Sequence, residues 1–465
     1  MNFIILLNYF LSILIPGFLL LWLFFRPEKK ISWLNLALAY GLGSFFLTAQ
    51  IFIYLFLFRL NFSLPFFWAI FLGEDLLLFC WCWRKKVLPI EQIKKIGKII
   101  SGGRMEMSEP KLSLKFFVVA FLVLIILANS FVLLDNALAR PTMTFDSVTM
   151  WAAKAKILFY ENHVSFDKNS PLYLGGGGHI NYPWQIPLQV FWLEANLGHF
   201  DDLLSNLIFI AYFFALLLVL FFWLKKFTSG FVALVFTFFL FSMPLFFYHG
   251  FNAYADLPLA FYVLLGGGFL YFWLSSGRKR DLFASAIFFG LSFWVKDGAI
   301  FYLAPAVFVV AVAALAGWRE KKAMWQYPLV MAAPVLPWLL FKIFYHQGIN
   351  NTGWGFGFHP QIFESFFWAM LMFTSGSWNL WWAVLIIFLL VNIKKMASDR
   401  ALLLGWVFAI SCFLAILAVY LFTERFEFAV DQTSVSRNLL VLVPVMVFLV
   451  GLFFKKENKT DVSAL

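Results

Sequence analysis

One pattern limits this sequence more than any other. Apolar windows of about 20 residues, the length a helix needs to cross a bilayer, follow one another from end to end. They fall near 3–25, 34–58, 65–83, 116–138, 203–224, 229–249, 256–275, 281–296, 298–317, 324–345, 368–393, 401–422 and 438–454. The expected architecture is an all-α polytopic membrane protein with about thirteen transmembrane helices. Composition agrees, with 63% hydrophobic and 13% charged residues against about half and about a quarter in a soluble domain. Residues 3–25 have neither a basic start nor a small-residue cleavage site, so they read as a retained span rather than a signal peptide. Cys80, Cys82 and Cys412 sit inside apolar windows without metal-type spacing and read as buried small hydrophobes.

The net charge of +11 does not point to nucleic acid, because the cations are not spread over one face. They cluster between windows, at 26–30, 84–115, 225–226, 278–280, 319–322, 394–400 and 455–459. Alternate connections carry them, as the positive-inside rule requires of cytoplasmic loops. The N-terminus is then expected outside and the C-terminus inside. The cations outside these clusters are Arg59, Arg140, Lys154, Lys156, Lys168, Lys296, Lys342, Arg425 and Arg437. Four parts are expected: a three-span unit at 1–83, a basic cytoplasmic linker at 84–115, a module at 116–345 with an outer loop at 139–202, and C-terminal spans at 346–465. The linker's charges suit an anionic inner leaflet. Glu74 and Asp75 lie within the third window, where a polar contact to another helix is the simplest reading.

The longest water-compatible stretch is 144–188, which the orientation places outside. Its residues 147–160 form a surface helix with Val148, Trp151, Ala152, Ala155, Leu158 and Phe159 on the apolar face and Lys154 on the polar side. Asp146 precedes this helix. It is either an N-cap, a role Ser147 could also fill, or a reactive carboxylate, and the two are compatible. Asp256 in Tyr254-Ala255-Asp256-Leu257-Pro258 opens another helix on the same side and carries the same two readings. Together the two acids could hold a divalent cation such as magnesium or manganese, although no cofactor is demanded. The run Gly175–Gly178 favours a closely approached or mobile backbone, and His179 and Tyr182 after it suit a sugar ring, a lipid headgroup or an interfacial aromatic belt. Lys296 and Asp297 sit between two windows, where pairing with each other is the simplest reading. Arg437, a cation at the outer mouth of the last span, suits either a phosphate or a loop acid such as Asp431. Phosphate-loop, dinucleotide, zinc-protease and serine-hydrolase motifs are absent, so an enzyme on this face needs an activated donor carried by the membrane.

The series Phe145-Asp146-Ser147, Trp151, Lys154-Ala155-Lys156, His179, Tyr182-Pro183, Tyr254-Ala255-Asp256-Leu257-Pro258 and Lys296-Asp297-Gly298 resembles the polytopic glycosyltransferases of the GT-C superfamily. The similarity is to the bacterial branch resembling protein O-mannosyltransferases and aminoarabinose transferases. It covers roughly 116–298, with Arg437 more loosely. The resemblance implies amphipathic jaw helices in the first outer loop, a polyprenyl-phosphate sugar donor, and inverting transfer to a hydroxyl on a glycan, lipid or protein acceptor. It makes Asp146 the general base. Arg437 and Lys296 would stabilise the departing phosphate, with Asp256, His179, Tyr182 and Lys154 binding substrate. Protein O-mannosyltransferases have a second acid next to the first, and here Ser147 stands in its place, so the acceptor is left open. The expected location is a prokaryotic inner membrane with the site on its outer side. The competing readings are a transporter or flippase of lipid-linked sugars, and an enzyme like O-antigen ligases or polymerases.

Overall fold

The computed structural model describes residues 2–26, 32–89, 113–176, 180–345, 355–371 and 377–456. Its principal helices are α1 (Asn2–Leu20), α2 (Trp33–Phe52), α3 (Leu64–Arg84), α4 (Leu114–Ala139), α5 (Ala152–Glu161), α6 (Gln185–Leu197), α7 (Leu207–Phe227), α8 (Gly230–Phe241) and α9 (Pro244–His249). They continue with α10 (Asp256–Ser276), α11 (Lys279–Val295), α12 (Ile300–Leu315), α13 (Ala323–Phe344), α14 (Gln361–Leu371), α15 (Trp381–Val391), α16 (Arg400–Phe422) and α17 (Val435–Gly451). The β-structure among the described residues is two isolated bridges, Ser165 with Tyr173 and Phe356 with Thr423.

Ten of these helices, with their end turns, are long and apolar enough to cross a membrane: α1 to α4, α7, α10, α12, α13, α16 and α17. The chain is a multi-pass integral membrane protein. The count among the described residues is ten rather than about thirteen, because three windows yield shorter helices. Window 229–249 breaks before Pro244, which starts a new helix because its fixed φ and missing N–H suit a first turn. It leaves α8 with 12 residues and α9 with 6. Window 281–296 gives α11, 17 residues long. Window 368–393 contributes to α14 and α15, with 11 residues each.

Burial separates the bundle's interior from its lipid-facing side. The whole apolar window of α10 is buried, wrapped by α7, α11, α12, α16 and α17. Helices α3 and α4 lie at the periphery and present Leu76, Leu77, Phe121, Leu127 and Phe131 outward, as lipid-exposed helices do. Cys80, expected to be buried, is exposed on α3. Glu74 on the same helix accepts a hydrogen bond from Gln50 of α2, the interhelical polar contact expected for it.

Between helices in lipid there is little hydrophobic drive, and small residues that let backbones approach take over. At the α1–α2 contact a Cβ on Gly17 would lie 2.0 Å from the Ala39 carbonyl oxygen, and one on Gly43 would lie 1.8 Å from that of Ile13. Both obstacles are backbone. Gly43→Val is therefore expected to destabilise the fold by about 1–3 kcal/mol, seen as a lower melting temperature in detergent. An unchanged melting temperature would show that the two helices separate freely.

The two ends of the bundle differ in charge. At one end, Arg319 donates to the carbonyls of Trp273 (3.1 Å) and Leu274 at the C-terminus of α10. Arg280 donates to those of Phe25 and Arg26 at 3.0 and 3.2 Å, and Lys395 to that of Phe453 at 2.6 Å. Lys279 meets Glu320 at 3.6 Å, Arg400 covers Trp318, and Lys455 covers Phe227. Cations from four of the basic clusters, 278–280, 319–322, 394–400 and 455–459, thus gather at one end, several of them on helix C-termini; most of the 84–115 linker lies outside the described residues. Asp256 stands at the other end of the same α10, whose 21 residues span about 31 Å.

The connection from α4 to α7 carries α5 and α6. Helix α6 is buried rather than laid on the surface. Gln185 donates to the Tyr262 hydroxyl at 2.8 Å and Gln189 to that of Tyr212 at 2.9 Å. Tyr262 donates in turn to the Gly41 carbonyl at 2.7 Å, and the Trp192 indole N–H donates to Ser12 at 2.9 Å. Glu194, also buried, accepts from the Asp201 amide at 2.6 Å and from Ser205. Its pKa is pushed up to about 7, chiefly by burial.

Candidate active site

Asp146 sits at the head of a π turn, Ser147–Trp151, that leads into α5, and its side chain makes no capping bond. Ser147 anchors this turn by donating to the Ala253 carbonyl at 2.9 Å, just ahead of α10. Asp256 occupies the first turn of α10 and likewise caps nothing. Both carboxylates have turned to cations instead. Arg437, in the first turn of α17, approaches Asp256 Oδ2 through Nε at 2.9 Å and Nη2 at 2.8 Å, and Asp146 Oδ2 through Nη1 at 2.5 Å. Lys296 donates to Asp256 Oδ1 at 2.7 Å. Two acids and two cations from four distant segments form one neutral cluster, with Asp256 at 0% exposure and Arg437, Asp146 and Lys296 at 21%, 19% and 15%. A buried carboxylate is tolerated when it is paired and hydrogen-bonded this fully.

Lys296 and Asp297, adjacent in sequence, do not pair with each other. Lys296 is extended, at φ −159° and ψ 137°, and an extended backbone sends successive side chains to opposite sides. Asp297 therefore points away from Asp256 and pairs with Lys342 of α13, with the Trp338 indole N–H at 3.4 Å. The alternative pairing of Arg437 with Asp431 is also not made, since the Asp431 carboxylate accepts from the backbone and hydroxyl of Thr433.

A cavity of about 620 Å³ opens beside Arg437. Tyr248, His249 and Tyr254 line one side, and Gln432, Thr433 and Ser436 another. The Tyr254 ring lies under the Arg437 guanidinium at 4.5 Å and against the His249 ring at 4.7 Å. His249 is 1% exposed and its Nδ1 has no hydrogen-bond partner. Burial lowers its pKa to about 3, outweighing the pull of Asp256, so the imidazole is neutral.

Lys154 and Tyr182 stand apart from this cluster and contact each other. Lys154 was expected on the polar side of its helix and is instead 1% exposed. The following loop folds over it: its ammonium donates to the carbonyls of Tyr182 (3.0 Å) and Ile180 (3.5 Å) and lies 4.9 Å from the Trp184 ring centre. The Tyr182 ring meets Trp151 edge-on at 5.4 Å. Gly175 makes this fold possible, with φ +87° and Trp184 so close that a Cβ would lie 2.5 Å from its ring. His179, Gly177 and Gly178 lie outside the described residues.

Burial lowers the Lys154 pKa from 10.5 to about 7, partly countered by Asp297. Between those two values the unfolded chain binds the extra proton, so this group's contribution to stability rises as pH rises through that window and falls away toward pH 7. The melting temperature of wild type relative to Lys154→Met is expected to climb between about pH 7 and 9.5. A flat difference would mean that the buried amine keeps its proton.

Among the described residues no three His, Cys, Asp or Glu side chains converge as a metal site. The space between Asp146 and Asp256, considered above for a divalent cation, holds the Arg437 guanidinium. No motif in the sequence marks His249 or Lys342 as a site residue. The available signal for Lys342 was its place among the cations that violate the inside bias.

The enclosed α10, the helices of the first loop, and the acid–arginine cluster at one end belong to one multi-pass helical membrane fold. Comparison with solved structures gives it a counterpart. Crystal structures of ArnT from Cupriavidus metallidurans, one in the apo state and one bound to undecaprenyl phosphate, each match with a TM-score of 0.50 at 16% identity. Each match covers 73% of this chain and 60% of the ArnT chain, so the chain corresponds to less than two thirds of ArnT's length. No protein-family model and no curated protein matches the sequence.

Proposed function

We propose that this protein is an inverting glycosyltransferase that moves a sugar from a polyprenyl-phosphate donor to an acceptor hydroxyl on the outer face of a prokaryotic inner membrane. The observation that carries the reading is Arg437 held between Asp146 and Asp256 at the edge of the 620 Å³ cavity. A forked cation beside a ring-sized space suits a phosphate with a sugar attached. The ArnT structure bound to undecaprenyl phosphate supports a donor of that lipid class. The outer location is supported by the basic end of the bundle, about 31 Å from Asp256 along α10.

In this mechanism the donor phosphate competes with Asp146 for Nη1 of Arg437 and frees the carboxylate. Asp146 then takes the proton from the acceptor hydroxyl as that oxygen bonds to C1 of the sugar. The C1–O bond to phosphate breaks, and its electron pair leaves on the phosphate oxygen. Arg437, with Lys296 behind it, stabilises the added charge. Asp256 holds both cations in place. Lys154 and Tyr182 act on substrate through the loop they close, which also carries His179. A divalent cation is not part of this scheme, and transfer is expected to persist in EDTA.

The test is to incubate the purified protein in liposomes with a panel of polyprenyl-phosphate sugars. Loss of sugar from at least one donor, with release of polyprenyl phosphate, is the expected result. Passage of an intact donor across the bilayer would establish the transporter reading instead.

A further inference from the structure

The cavity beside Arg437 carries more information than its size. Besides Arg437, its polar groups are the imidazole of His249, the hydroxyls of Tyr248, Tyr254, Ser377, Thr433 and Ser436, and the Gln432 amide. Arg437 is the one charged side chain among the described residues that line it. Asp256 and Asp146 are not among the lining residues and are engaged by that guanidinium, and the Asp431 carboxylate is turned to Thr433. Stretches 346–354 and 372–376, outside the described residues, contain no Asp or Glu. A buried imidazole with a free ring nitrogen, 4.7 Å from a tyrosine ring, offers a hydrogen bond and an aromatic surface without charge.

Resting on the function proposed above, we infer that this cavity is the donor-sugar subsite and that it takes an uncharged ring, with His249 hydrogen-bonding a ring hydroxyl. The sugar belongs here because it is bonded to the phosphate that Arg437 would hold. The polyprenyl chain does not, because it would leave these polar groups unpaired. A sugar bearing an ammonium group on a carbon away from C1 would set it against a wall whose one charge among the described residues is a cation, while the Asp146 carboxylate that the phosphate frees stands at C1; like-charge repulsion in a partly dry site opposes that.

The experiment uses the full-length protein in detergent and three probes: undecaprenyl phosphate, undecaprenyl-phosphate 4-amino-4-deoxyarabinose, and the N-formyl form of that same donor. Binding is read from the ligand-dependent rise in melting temperature. The N-formyl donor is expected to bind at least tenfold more tightly than the ammonium donor. Ser436→Asp, which adds an acid to the wall, is expected to narrow or reverse that ratio. His249→Gln is expected to weaken the N-formyl donor several-fold while leaving undecaprenyl phosphate, the internal check on folding, unchanged. Equal binding of the two sugar donors overturns this inference and leaves the proposed function standing. Failure of undecaprenyl phosphate itself to bind removes the proposed function, and the inference with it.

Discussion

Arg437→Gln is expected to abolish transfer and also to lower stability by about 3–5 kcal/mol, the usual cost of leaving a buried charge half-paired. Asp256 is fully enclosed, and two of its three short contacts come from this one guanidinium. Arg437→Lys keeps the charge but lacks the planar fork that reaches both Asp256 and Asp146, so it is expected to recover part of the stability and little activity. The double variant Asp256→Asn, Arg437→Gln removes the orphaned charge. It is expected to be more stable than Arg437→Gln alone and equally inactive, a non-additivity that a double-mutant cycle measures. An active Arg437→Gln enzyme would eliminate the phosphate role.

Asp146→Asn separates chemistry from folding. The Asp146 carboxylate makes one of the contacts of Arg437, which keeps its bonds to Asp256 without it, so the stability change is expected to be about 1–3 kcal/mol, smaller than for Arg437→Gln. Transfer is expected to fall by about 10²–10⁴, the range associated with a general base, while donor binding holds or improves as a competitor for Arg437 disappears. Wild-type turnover by a folded Asp146→Asn protein would end the assignment of Asp146 as base.

Much of this architecture was legible because lipid imposes simple rules on sequence. Ten windows became long apolar helices because length and composition alone decide whether a segment can span. Where Pro244 interrupts a window, local chemistry overrode the hydropathy. The cations outside the basic clusters were the best guide to the site: Arg437, Lys296, Lys342 and Lys154 all hold specific acids or carbonyls, and Arg59 bonds the Tyr345 hydroxyl at 2.7 Å. Pairings were not legible. Which way Lys296 and Asp297 point depends on one pair of backbone angles at the end of α11, and Lys154 is buried by a loop that begins beyond its own helix. The cavity joins 244–254 to 432–437, and no local pattern records that meeting.

The separation of Asp256 from its partners along the chain sets an order of assembly. A carboxylate opens the most enclosed helix of the bundle, its first cation follows 40 residues later, and its second follows 181 residues later. At a synthesis rate of about 5–20 residues per second, Arg437 emerges roughly 10 to 40 s after Asp256. During that interval Lys296 is the only one of the two cations available to neutralise the acid. The acid at the head of α10 thus has a partner within reach soon after synthesis, while the four-residue cluster is complete only when the last helix arrives.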